Sequence, residues 1–94
     1  DPIRFAIGWQ AQLGGLALAA GRTEQAIRIL EGASRSPTER THAKYLLGKA
    51  YEEFGNPTRA LDAYRAFLSR TADGDQDLPA IVNAKAAVAR LDAN

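Results

Sequence analysis

The chain has 94 residues, 46% of them hydrophobic and 24% charged, with a formal net charge of +1. That length suffices for one core and not for two, and so balanced a charge removes the electrostatic argument for a nucleic-acid partner. Cysteine is absent, which excludes disulfides and thiolate metal sites. Methionine is absent too, position 1 included, so Asp1-Pro2 reads as a cut boundary and the chain as a piece of a longer protein. Alanine-rich, valine-poor usage favours helix over sheet.

The first expected helix runs from about Ile3 to Ala20 and stops at Gly21, a natural C-terminal glycine. Inside it, Gln12 to Ala20 is apolar and Ala17-Leu18-Ala19 mimics a signal-peptidase site. The run is about half of the ~20 residues a membrane span needs, and only Arg4 precedes it as a basic flank. Helix packing explains it better, and cytoplasm is the default compartment. Thr23 is expected to cap a second helix through about Ser34, with Glu24 in its first turn. Ser36-Pro37-Thr38-Glu39 reads as a helix start, with Ser36 as cap, Pro37 as first helical residue and Glu39 closing a capping box. That third helix ends at Gly55. Asn56-Pro57 repeats the cap-then-proline device and opens a fourth helix to about Arg70. Thr71 to Gln76 is polar, contains Gly74 and reads as a loop. Asp77 is expected to cap a fifth helix, Leu78 to about Leu91, with Pro79 in its first turn. Short connections imply antiparallel neighbours. On the exposed faces, Glu24 with Arg28 and Glu31 with Arg35 have the acid-first spacing of four that stabilises a helix.

Two stretches match at an offset of 34 residues. Gly21-Arg22-Thr23-Glu24-Gln25-Ala26-Ile27-Arg28-Ile29-Leu30 aligns with Gly55-Asn56-Pro57-Thr58-Arg59-Ala60-Leu61-Asp62-Ala63-Tyr64. Upstream, Leu13-Gly14 matches Leu47-Gly48, and Ala17 matches Tyr51. A fixed period of this size means stacked units that bury their apolar faces on one another. Leu47-Gly48-Lys49-Ala50-Tyr51, then Gly55, Ala60-Leu61 and Tyr64, resembles the tetratricopeptide repeat. Gly14, Gly48, Ala26 and Ala60 are small where two helices approach closely, and Tyr51, Tyr64 and Leu30 fill the space between. Ala17 stands where the family has an aromatic, Phe67 where a small residue is common, and neither unit keeps proline at its usual end. The closing stretch, Tyr64-Arg65-Ala66-Phe67-Leu68 to the helix ending Ala89-Arg90-Leu91, is also similar to C-terminal repeats of large bacterial signalling proteins.

The resemblance implies an all-α fold, a right-handed tetratricopeptide-type superhelix of about five antiparallel helices. The single domain over residues 1–94 would hold units at about 7–40 and 41–74 and a capping helix at about 77–92. The expected core includes Leu13, Leu16, Ala26, Leu30, Leu47, Tyr51, Ala60, Tyr64 and Leu91. The implied function is protein–protein interaction, as a scaffold or adaptor module of a larger protein. The alternatives are a homo-oligomerisation module and a regulatory segment of a multidomain signalling enzyme.

No enzymatic set can be assembled. His42 is the lone histidine, and active-site groups come as sets. Asp73, Asp75 and Asp77 alternate like the start of a calcium loop, but Leu78 and Ala84 stand where that loop needs glycine and a bidentate glutamate. Gly14-Gly15 lacks the Gly-Lys-Ser/Thr pattern of a phosphate loop. Neither a cofactor nor a metal is expected, and neither nucleic acid nor membrane is an expected partner.

In the family the first helix of each pair lines a concave face that binds peptides or helices. By position, that face takes Gly8, Ala11, Gly15 and Leu18 from the first helix and His42, Tyr45, Lys49, Glu52 and Glu53 from the third. From the fifth it takes Asn83, Ala86 and Ala87. The Lys and Asn with which the chaperone-binding branch clamps a C-terminal carboxylate are replaced by Ala11 and Gly15, so that clamp is absent. A second candidate is the N-terminal edge. Ile3, Phe5, Ile7, Trp9, Leu13, Leu16 and Leu18 point nearly all round the first helix, and such a helix is normally buried on every side. An exposed patch of Ile3, Phe5 and Trp9 would meet a partner, a preceding repeat or a second copy of the chain. The fifth helix, with Asn83, Lys85, Arg90 and Asp92, has the polar outer face of an end cap.

Overall fold

Residues 9–93 are described by a computed structural model of the chain. Among them are five helices and no strand: α1 Trp9–Ala19, α2 Thr23–Ala33, α3 Arg40–Phe54, α4 Pro57–Arg70 and α5 Pro79–Asp92. Ile3, Phe5, Ile7 and Gly8 lie outside the described residues.

The two glycine stops form as expected. Gly21 and Gly55 adopt φ of 81° and 90°, the left-handed region that glycine enters without a Cβ clash. The bonds around them repeat as the sequence does. Gly21 N donates to Leu18 O at 3.0 Å and Arg22 N to Ala17 O at 2.9 Å; Gly55 N donates to Glu52 O at 3.1 Å and Asn56 N to Tyr51 O at 2.8 Å. Each donor and acceptor has its counterpart 34 residues on.

Of the expected helix starts, only Asn56-Pro57 forms as read: Asn56 Oδ1 accepts from Arg59 N at 3.1 Å and Pro57 is the first helical residue. Thr23 is not a cap but the first residue of α2, after Arg22, which makes no side-chain cap bond. Ser36-Pro37 opens a run of turns rather than α3. Ser36 Oγ pairs with Thr38 Oγ1 at 3.0 Å, and Glu39 turns inward to accept from Ala11 N at 2.7 Å. That long-range bond draws Glu39 away from a local capping box, so α3 begins at Arg40. Asp77 donates its own N–H to Asp75 Oδ1 at 3.0 Å and caps nothing. The boundary of α5 is Leu78, held extended at φ −60° and ψ 136° because a residue before proline is excluded from the helical region. The two expected surface ion pairs do not form. Glu31 instead accepts a hydrogen bond from Tyr51.

Packing follows the 34-residue register. A Cβ on Gly48 would lie 2.6 Å from the Tyr64 ring, and one on Gly14 would lie 2.5 Å from Leu30. The same glycine therefore admits the same second-helix residue in each unit. Ala26, Leu30, Leu47, Tyr51, Ala60 and Tyr64 are buried as expected, and Leu91 packs against the core from its margin. Tyr45 and Phe67 are buried together where the first unit has Ala11 and Ala33, so Phe67 is matched by a change across the interface. Leu13 and Leu16 are not core: they are 41% and 63% exposed. They precede Leu47 and Ala50 by one period. α3 is packed between α2 and α4, whereas α1 packs against α2 and α3 with nothing described on its other side.

The shortest dimension of the molecule is 19 Å, about two helix diameters. One layer holds α1, α3 and α5; the other holds α2 and α4.

Candidate functional site

The first layer forms a cleft of 430 Å³ across α1, α3 and α5. Helical spacing puts Tyr45, Lys49, Glu52 and Glu53 on one face of α3, and Asn83, Ala87 and Arg90 on one face of α5. Leu18 closes one side, and Tyr64 enters from α4.

Its floor is aromatic. The Tyr45 ring lies 5.2 Å from Phe67, tilted by 42°, and meets Tyr64 edge-on at 6.2 Å. Each phenol finds a polar partner, as a buried tyrosine requires. Asn83 Nδ2 donates to the Tyr45 hydroxyl at 3.3 Å. Tyr64 donates to Glu52 Oε2 at 2.6 Å, and Arg90 Nη1 donates to Glu52 Oε1 at 2.6 Å. Burial pushes the Glu52 carboxyl up, but the hydrogen bonds from Arg90 and Tyr64 outweigh it and hold the group below the ordinary value. Burial, followed by the bond to Glu52, drives the Tyr64 hydroxyl far above the usual phenol range. The network ties α3, α4 and α5 together at the cleft. Lys49 Nζ lies 5.7 Å from the centroid of the Tyr45 ring.

A larger cleft, 490 Å³, lies on the opposite side of α3, and another of 320 Å³ adjoins it. They share Glu31, Tyr51 and Arg59. Tyr51 donates to Glu31, and the Arg59 guanidinium sits 5.9 Å from the Tyr51 ring centroid. Burial, and then Glu31, raises the Tyr51 hydroxyl above its usual value. This is the seam where the second helix of one unit meets the next unit.

The structure places Tyr45, Lys49, Glu52, Glu53 and Asn83 together in the 430 Å³ cleft. His42 is exposed near the start of α3, outside that lining. Ala11, expected on the concave face, is buried, and Gly15 is half-buried beside Leu46. Trp9 is 45% exposed on α1; Ile3 and Phe5 lie outside the described residues. Sequence reasoning missed Tyr64, read as core alone, and Arg90, read as an end-cap charge. The Arg90 signal was available: it stands seven residues after Asn83 on the same helical stripe.

Antiparallel helix pairs repeating every 34 residues, with a groove along their first helices, define the class of α–α superhelical repeat modules. A tetratricopeptide repeat model matches residues 17–91, and the chain belongs to that family. Such repeats generally mediate protein–protein interaction. Comparison with curated proteins and with solved structures returned no significant match. Among the described residues no helix is long and apolar enough to cross a membrane.

Proposed function

We propose that the chain is a scaffold or adaptor module that binds a protein or peptide partner in the cleft of Tyr45, Lys49, Glu52, Glu53 and Asn83. It acts without a covalent step. Units of about 7–40 and 41–74 and a cap of about 77–92 form the array. The observation that carries the reading is the polar network over the aromatic floor. Asn83 on Tyr45, and Arg90 with Tyr64 on Glu52, hold the cleft before any partner arrives, and preorganisation lowers the cost of binding. Selection of random peptides on the wild-type protein, followed by rebinding to Asn83→Trp, tests this. A bulky indole in the cleft should weaken the selected peptides at least about tenfold, or about 1.4 kcal/mol. Unchanged affinity would move the site elsewhere.

The N-terminal edge supports a second reading, self-association through the first helix. Trp9, Leu13 and Leu16 are exposed on one helix, and α1 carries no charged side chain from Trp9 to Ala19, so two copies could meet there without like-charge repulsion. Sedimentation of wild type and Trp9→Glu decides it: the reading expects a dimer that Trp9→Glu dissociates, and a wild-type monomer at high concentration removes it.

A further inference from the structure

Two charges in the cleft have no ionic partner among the described residues. Glu52 is taken by Arg90 and Tyr64. Lys49 and Glu53, both exposed and both lining the cleft, form no ion pair with each other or with any other described group. They follow one another by four residues on α3, hence about 6 Å along its axis. An extended chain repeats its side chains on one face every two residues, or about 6.6 Å. The two spacings match.

The cleft of 430 Å³ is an open groove lined from α1, α3 and α5, and the spacing of Lys49 and Glu53 is what favours an extended occupant. An extended segment can lie along α3 with one side chain on the Tyr45–Tyr64 floor.

We propose that the cleft takes an extended peptide segment in which one acidic and one basic side chain are separated by a single residue, the acid on Lys49 and the base on Glu53. This rests on the groove reading above and adds to it the charge pattern of the partner. An acid–x–acid segment would set a like charge on Glu53, and a base–x–base segment a like charge on Lys49. An adjacent acid–base pair points to opposite faces of the strand and reaches only one of the two.

The test uses four synthetic peptides with the same apolar flanks: Asp-Ala-Lys, Asp-Ala-Asp, Lys-Ala-Lys and the adjacent pair Asp-Lys-Ala. Each is titrated by backbone amide NMR into wild type, Lys49→Glu and Glu53→Lys, at low salt. Both positions are exposed, so the variants should fold as wild type does. Wild type should bind Asp-Ala-Lys about fivefold tighter than the other three, as expected of two partly exposed ion pairs. The preference should move to Asp-Ala-Asp in Glu53→Lys and to Lys-Ala-Lys in Lys49→Glu. It should shrink as salt rises from about 0.02 M to about 0.5 M. If the peptides shift the Tyr45, Lys49 and Asn83 amides but the preference does not change with the variants, the charge-pair proposal is wrong and the groove reading stands. If no peptide shifts those amides, both fall. A helical peptide with its acid and base four residues apart, binding as tightly as Asp-Ala-Lys, would overturn the extended geometry.

Discussion

Gly48 and Gly14 are the residues on which the helix spacing turns. A Cβ on Gly48 meets three Tyr64 ring atoms at 2.6 to 2.8 Å, and the ring is buried and tied to Glu52. Overpacking costs about 1–3 kcal/mol, against about 1 kcal/mol gained from alanine's helix propensity. Gly48→Ala should therefore lose up to about 2 kcal/mol in urea denaturation, and Gly48→Leu more. Gly14→Ala should follow, since Leu30 is fully buried. Gly32→Ala is the contrast: nothing lies within 4 Å of its Cβ position, so it should stabilise by about 0.5–1 kcal/mol. A Gly48→Ala melting temperature equal to or above wild type would refute this packing. Glu39 makes a second residue-scale prediction. Its carboxylate is buried and satisfies Ala11 N, so Glu39→Ala strands that donor at a cost of about 1–3 kcal/mol. Glu39→Gln keeps an acceptor and should recover most of the loss, with amide exchange at Ala11 faster only in the alanine variant.

Between elements, α3, α4 and α5 are joined by titrating groups, and the pH profile should show it. The Glu52 value is lowered on folding, so its share of stability is complete above the ordinary glutamate value of about 4.3 and is lost as pH falls through the lowered one. The Tyr64 and Tyr51 values are raised, so their shares are complete below about pH 10 and are lost as pH rises beyond it. These three shares should be constant between those limits and be lost on either side. Glu52→Gln should flatten the acid limb, and Tyr64→Phe the alkaline limb. The acid effect should be modest, because Arg90 is largely exposed and its ion pair is screened. A thermal-melt series from about pH 2 to 12 measures both, and an acid limb unchanged in Glu52→Gln would contradict the network. The helix starts teach a related point. Asn56-Pro57 was legible because cap and proline act locally. Ser36-Pro37 was not, because Glu39 bonds a helix 28 residues away. Asp77 lost its role to Leu78 through the pre-proline rule, a signal that was present in the sequence.

Across the whole molecule, the register explains both the core and its edges. Leu13 and Leu16 were misread because periodicity marks a residue as apolar without saying whether a neighbour covers it. Trp9 and Leu16 stand where α3 has the fully buried Ala43 and Ala50, so a helix covering α1 cannot approach as closely as α2 approaches α3. Trp9→Ala with Leu16→Ala should therefore cost the isolated chain less than about 1 kcal/mol, as near-neutral surface changes do. In a self-associated form it should cost far more, and denaturation at low and high protein concentration separates the two cases. Most of the cleft was likewise legible. Tyr45, Lys49, Glu52, Glu53 and Asn83 follow from helical spacing once the repeat is known, while His42 shares that stripe and falls outside the lining. By itself the sequence determined the helices, their glycine stops, the 34-residue period and the small positions Gly14 and Gly48 where helices approach. These are local or periodic, and a periodic chain repeats its contacts. The pairing of Gly14 with Leu30 and Gly48 with Tyr64 came from the structure. Only the tertiary structure decided that Glu39 serves α1, that Arg90 and Tyr64 share Glu52, and that Lys49 and Glu53 are left to face the cleft. Those depend on which side chains from separate helices come within hydrogen-bond distance, and no spacing along one helix specifies that.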